Sequence, residues 1–195
     1  MTARIAPAAP PFSQEVQSAL DRTLPAGVAP FVLFTTLARD ERLFKKIFAG
    51  GLLDRGHLSL RQREIVIDRT TALCRSEYEW SIHVSFFAKR VGLGEPHLRS
   101  LVHGDAEDEC WQDGERLLIR MCDELYSTCS LSDRLWTELR QEYSEEALLE
   151  LLMLAGFYRT ISYLTNALRL PLETFGARFP PIDGIPEARS ACATY

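Results

Sequence analysis

Residues 76–91 read SEYEWSIHVSFFAKRV, and the spacing of apolar residues in this stretch is helical. Trp80, Val84, Phe87 and Val91 form one stripe, and Tyr78, Ile82 and Phe86 form a second. A helix apolar around most of its circumference belongs at the centre of a bundle or in a subunit interface. Two polar residues interrupt it. Glu79 and His83 lie four apart and so share a face, on which a carboxylate and an imidazole can exchange a proton. Phe86 extends that face and Arg90 ends it.

Outward from this helix the same periodicity recurs at Phe31–Leu37, Leu43–Leu53, Ile65–Cys74, Leu117–Tyr126 and Leu148–Leu168, and nothing alternates as a strand. Ser59-Leu60-Arg61-Gln62 and Ser76-Glu77-Tyr78-Glu79 have the form of capping boxes, in which a serine hydroxyl and an acid or amide satisfy orphan helix donors. In the second box Glu79 would be tied to the helix start and unavailable for chemistry. Gly50-Gly51, Gly92-Leu93-Gly94, His103-Gly104-Asp105 and Leu170-Pro171 supply the stops. The last apolar run, ALLELLMLAGFYRTISYLTNAL, carries Gly156, which permits close approach of another backbone. The expectation is an all-α, single-domain helical bundle over residues 13–177. Proline- and alanine-rich residues 1–12 and the Pro/Gly/Ala-rich residues 178–195 are expected to be loosely tethered arms.

Composition narrows the function classes. The chain has 195 residues, 46% hydrophobic and 25% charged, as one core-forming domain requires. Its net charge of -5, with both signs interspersed, offers no footprint for nucleic acid or an anionic membrane. The N-terminus is broken by Pro7, Pro10 and Pro11 and does not read as a signal peptide. No uncharged apolar run spans a bilayer. Five scattered cysteines make a poor disulfide framework, so a cytoplasmic location is expected. His57, His97 and His103 lack partners at metal-ligand spacing, and no metal is expected. Cys122 and Cys129 read as core or cap positions, and Cys74 as a small buried hydrophobe.

Glu64, followed by Cys74-Arg75-Ser76-Glu77-Tyr78-Glu79-Trp80-Ser81-Ile82-His83, resembles the core motif of the carboxymuconolactone decarboxylase family. The long helix LLELLMLAGFYRTISYLTNALRLPLE resembles the one that closes that domain. The resemblance implies an alkylhydroperoxidase D-like helical fold, a homo-oligomer (trimer or hexamer), small organic substrates and no cofactor. It implies Glu64, Glu79 and His83 as catalytic residues, with Ser76, Tyr78, Trp80, Arg75 and Arg90 as candidate substrate contacts. The thiol-peroxidase branch of the superfamily uses a glutamate, a C-x-x-C pair and a histidine. Glu64 and His83 match two of these, but the two cysteine positions fall on Ser76 and Glu79. A peroxidase would therefore have to use Cys74 without a resolving partner three residues on. The reading that follows is a cofactor-independent decarboxylase-like enzyme. A Cys74 peroxidase and a non-catalytic oligomeric binding protein, its central pocket filled by Tyr78, Trp80 and Phe86, are the alternatives.

Overall fold

The computed structural model describes residues 3–24, 27–50, 52 and 54–182, and every regular element among them is helical. Nine helices follow in order: α1 (Gln14–Thr23), α2 (Val32–Leu37), α3 (Glu41–Gly50), α4 (Leu60–Leu73), α5 (Glu77–His83), α6 (Glu95–His103), α7 (Asp113–Thr128), α8 (Asp133–Glu142) and α9 (Glu145–Leu168). A π-helical turn, Val84–Ala88, continues α5. The run expected over Leu43–Leu53 is helical to Gly50, while Gly51 and Leu53 lie outside the described residues.

Serines start many of these helices because their hydroxyls accept from the exposed amides of the first turn. Ser13, Ser59, Ser132 and Ser144 do so for α1, α4, α8 and α9. The box at Ser59 is complete, with Gln62 accepting from the Ser59 amide. The expected box at Ser76 does not form. Ser76 caps nothing with its side chain and instead shares a 2.7 Å hydrogen bond with Thr165 on α9. That contact ties α5 to α9 and leaves the Glu79 carboxylate free of the helix start. Cys129 ends α7 and Arg169 ends α9, both in the left-handed region usually given to glycine.

Helix α4 is the axis of the bundle and packs on α5, α6, α7 and α9. Burial there is almost indiscriminate: Ile65, Val66 and Ile67 are buried, and so are Glu64, Asp68 and Arg69. Around α4 lies the larger core, with Trp80, Leu118, Met121, Cys122, Leu151 and Leu154. A second cluster joins α1–α3 to the other side of α5 through Leu20, Leu33, Phe44, Tyr78 and Ile82. Helix α5 thus separates the two clusters, and the cavity described below lies on the second.

Helix α9 is long and apolar enough, with a mean hydropathy of 1.3, to cross a membrane by length and composition. Its inner face, including Leu148, Leu151, Leu154 and Tyr158, fills the core. Its outer face carries Leu149, Met153 and Tyr163, each about 60% exposed. Gly156 lies on that same outer face, where an added Cβ would meet nothing within 4 Å. The close approach expected at Gly156 is therefore not made within this chain.

The described parts of both arms make contacts with the bundle. Arg4 donates its amide to the Leu168 carbonyl, and Ala8 donates to Thr35. After α9 the chain turns back across α5 as a strap. Glu173 accepts from the Val32 amide and the Tyr78 hydroxyl, Ser85 donates to the Phe175 carbonyl, and the Ala177 amide donates to Ser85. Further on, Phe179 packs on Trp80 and its amide donates to Glu77, and His103 bonds the Pro180 carbonyl. Residues 183–195 of the expected tail lie outside the described residues.

Candidate functional site

Helices α4 and α5 bring three of the expected residues together. The His83 Nδ1 lies 2.7 Å from Glu64 Oε2, and its Nε2 lies 3.6 Å from Glu79 Oε1. The first is a full hydrogen bond and the second an ion-pair separation. Glu64 is fully buried behind the ring, and its other oxygen has no hydrogen bond, with Arg63 Nε at 3.8 Å. Arg61, three residues before Glu64 on α4, pairs with Glu115.

Burial alone would drive His83 towards the neutral ring. The Glu64 carboxylate against Nδ1 and Glu79 beyond Nε2 outweigh that effect and lift its pKa to about 10. His83 is therefore an imidazolium at neutral pH, with Nδ1–H committed to Glu64 and Nε2–H directed towards Glu79. One turn along α4 from Glu64 stands Asp68, 1% exposed, with no partner for either oxygen among the described residues. Burial and the neighbouring Glu64 raise its pKa well above the ordinary value of 3.8, with His83 opposing, which favours the neutral acid.

In front of His83 opens a cavity of about 320 Å³. Phe31, Phe34, Phe48, Phe86, Phe87 and Phe157 make its wall strongly aromatic. The polar lining residues are Thr23, Glu79, His83, Tyr158 and Arg90. Arg90 is exposed and has no hydrogen bond or ion pair among the described residues, leaving a cation for an anionic ligand group. The π-helical turn just after His83 rotates Phe86 and Phe87 onto the cavity wall, and π turns of this kind recur at functional sites. Phe175 of the strap backs this wall through Phe31 and Phe86.

The remaining candidates separate into two groups. Arg90 lines the cavity, whereas Arg75, Ser76, Tyr78 and Trp80 do not. Arg75 takes a left-handed backbone at the end of α4, and Ser76 is consumed by Thr165. The Tyr78 hydroxyl bridges the Leu33 amide and Glu173, and Trp80 is 1% exposed against Phe179. Ser76, Tyr78 and Trp80 are thus engaged within the fold, while Arg75 is exposed. Glu64 also lies outside the cavity lining, behind the His83 ring. Cys74 is half-buried and away from the cavity. Burial raises its thiol pKa, with a hydrogen bond to Ser162 and the Arg159 charge only partly offsetting this. Cys122 is a core residue, as expected, and Cys129 a helix cap. Among the described residues no group of three or more His, Cys, Asp or Glu side chains is arranged to hold a metal ion.

Sequence reasoning missed Asp68 and Tyr158. Asp68 sits four residues after Glu64 and so on the same helix face, a signal present in the sequence. Tyr158 gave none, because it lies among apolar neighbours on α9.

No family model matches the chain, and no curated protein does. Solved structures do. The chain is similar to an uncharacterized peroxidase-related protein from Silicibacter sp., with a TM-score of 0.77 and 15% identity over 92% of this chain and 96% of that one. A protein described as an alkylhydroperoxidase AhpD core, from Ralstonia eutropha, superposes with a TM-score of 0.73 and 17% identity over 87% and 93% of the two chains. The chain has the alkylhydroperoxidase D-like fold. A third structure of this fold is a variant of the debrominase Bmp8 in complex with 2,3,4-tribromopyrrole, with a TM-score of 0.72 and 16% identity over 90% and 94%. At these identities what is shared is the alkylhydroperoxidase D-like architecture, and the chemistry rests on this chain's own residues.

Proposed function

We propose that this chain is a cofactor-independent enzyme that moves protons on a small, mostly apolar molecule bearing a carbonyl or carboxylate oxygen, with decarboxylation as the specific reaction. The observation that carries this reading is the position of His83. It is a buried imidazolium between Glu64 and Glu79, with Glu79 and the ring both on the wall of a 320 Å³ cavity. In the thiol-peroxidase motif the position of Glu79 belongs to a cysteine, so a carboxylate replaces sulfur at the point nearest the ligand.

The reaction follows from charge. As the bond from carbon to the departing carboxylate breaks, its electron pair moves onto the conjugated carbonyl oxygen and carbon dioxide leaves. The imidazolium N–H of His83 stabilises that oxyanion in a site from which water is largely excluded. A proton drawn from solvent reaches the carbon through Glu79, the carboxyl group on the cavity wall. Glu64, out of reach of the ligand, keeps the ring charged and oriented. Arg90 holds a second anionic group. The phenyl-lined wall suits a flat ring, a preference supported by the pyrrole ligand in Bmp8. His83→Gln keeps size and some hydrogen bonding while removing the charge. Turnover of small unsaturated ring acids should fall by roughly 10²–10⁴-fold at a temperature where the variant is folded, and the melting temperature should fall as well because the buried Glu64 loses its cation. Full activity in that variant would sink the assignment.

A Cys74 peroxidase is the second reading, supported by the peroxidase-related descriptions of two structural relatives. Its test is peroxide consumption that disappears in Cys74→Ser, and the raised thiol pKa of Cys74 weighs against it.

We also propose that the chain is a homo-oligomer, a trimer or hexamer, assembled through the outer face of α9. Leu149, Met153 and Tyr163 form an exposed stripe over four turns, with Arg159 laid against Tyr163 at one end and Gly156 in the middle leaving room for a second backbone. Met153→Lys should convert the assembly into a smaller species by sedimentation. A wild-type monomer with full helicity at micromolar concentration would overturn this.

A further inference from the structure

Buried tyrosines keep their hydroxyls paired, because an unpaired O–H forfeits the hydrogen bonds it had in water. This chain follows that rule at two positions. The Tyr78 hydroxyl bonds Glu173 and Leu33, and the Tyr143 hydroxyl donates to the Gly114 carbonyl. Tyr158 departs from it. The residue is 2% exposed, lines the cavity, and its hydroxyl has no hydrogen-bond partner among the described residues.

The ring itself is firmly placed. It stands edge-to-face with His83, centroids 5.0 Å apart at 88°, and meets Phe157 at 5.4 Å and 78°. We propose that Tyr158 is a catalytic residue of this site: its free phenol O–H, beside the imidazolium of His83, donates a hydrogen bond to an oxygen of the bound molecule. This rests on reading the cavity as a proton-transfer site, and it narrows the ligand. Two donors of different kind, one charged and one neutral, converge on one oxygen, so the substrate class is a compact unsaturated ring whose oxygen gains negative charge during the reaction. Burial, then the carboxylates of Glu79 and Glu64, push the phenol pKa well above its usual value, so that Tyr158 stays protonated and acts as a donor only.

The test uses two probes of similar shape, 4-nitrophenolate and nitrobenzene, binding to the full-length chain. Wild type should prefer 4-nitrophenolate. Tyr158→Phe keeps the ring and its packing, and should weaken 4-nitrophenolate by about tenfold or more while leaving nitrobenzene unchanged. Equal weakening of both probes assigns the hydroxyl to packing and overturns the proposal. Loss of the fold in Tyr158→Phe does the same, because it gives the hydroxyl a structural partner. If Tyr158→Phe has no effect while His83→Gln abolishes the preference, the proposal fails and the proton-transfer reading stands. If wild type shows no preference for 4-nitrophenolate, or His83→Gln leaves that preference intact, both fail.

Discussion

Asp68 and Arg69 are neighbours on α4, equally buried, and treated in opposite ways. Arg69 reaches Asp123 with two nitrogens, at 2.7 and 3.0 Å, and donates to the carbonyls of Ser100, Leu101 and Gly104. Each guanidinium nitrogen has an acceptor, and the group locks α4 to α7 and to the end of α6. Asp68 finds no donor and stands beside a second carboxylate. A buried polar group that finds its partners is a fastener. One left unanswered raises the free energy of the fold and is tolerated beside chemistry, as in the row Asp68, Glu64, His83 and Glu79.

This contrast can be broken most forcefully at Arg69. Arg69→Leu strands three carbonyls and Asp123, and should destabilise the protein by about 3–5 kcal/mol in denaturant unfolding, the range for breaking one side of a buried ion pair. A cost below about 1 kcal/mol would show that the network is not a fastener.

Glu64 sharpens the other side. The pKa of His83 is higher folded than unfolded, so its charge contributes stability that is fully present below about 6.5 and is lost as pH rises through about 10. Glu64→Gln should lower the His83 pKa, seen by nuclear magnetic resonance of the ring protons, and flatten that loss between pH 6.5 and 10. An unshifted His83 titration would remove Glu64 from the relay.

Asp68→Asn should have the smallest effect. An acid whose pKa is raised by folding costs stability as pH rises above its unfolded value near 3.8, so the neutral amide should be as stable as wild type or more so at pH 7. Marked destabilisation at neutral pH would mean that Asp68 is ionised and paired after all.

Much of this was legible in the sequence. Helical periodicity gave the all-α bundle, and the nineteen-residue interval from Glu64 to His83 brought its two ends within 2.7 Å. What the sequence could not rank was competition between partners. Ser76-x-x-Glu79 is a sound capping box on paper, and only the arrival of Thr165 from α9 draws the serine away and releases Glu79. Tyr78 and Trp80 likewise read as ligand contacts because helical spacing does not say which of two faces meets a cavity. Asp68 and Arg69 drew no notice, since pattern alone cannot tell that α4 is enclosed on all sides.

The strap after α9 bears on how the site comes into being. Glu173 joins α2 to α5 through Val32 and Tyr78, and Phe175 supports the aromatic wall from behind. During synthesis these residues leave the ribosome nearly ninety positions after Phe86. Helices α1 to α8 can assemble while the chain is still growing, but the pocket receives its final brace only near the end. A chain cut after Leu168 would therefore keep all nine helices and carry an unbraced binding wall.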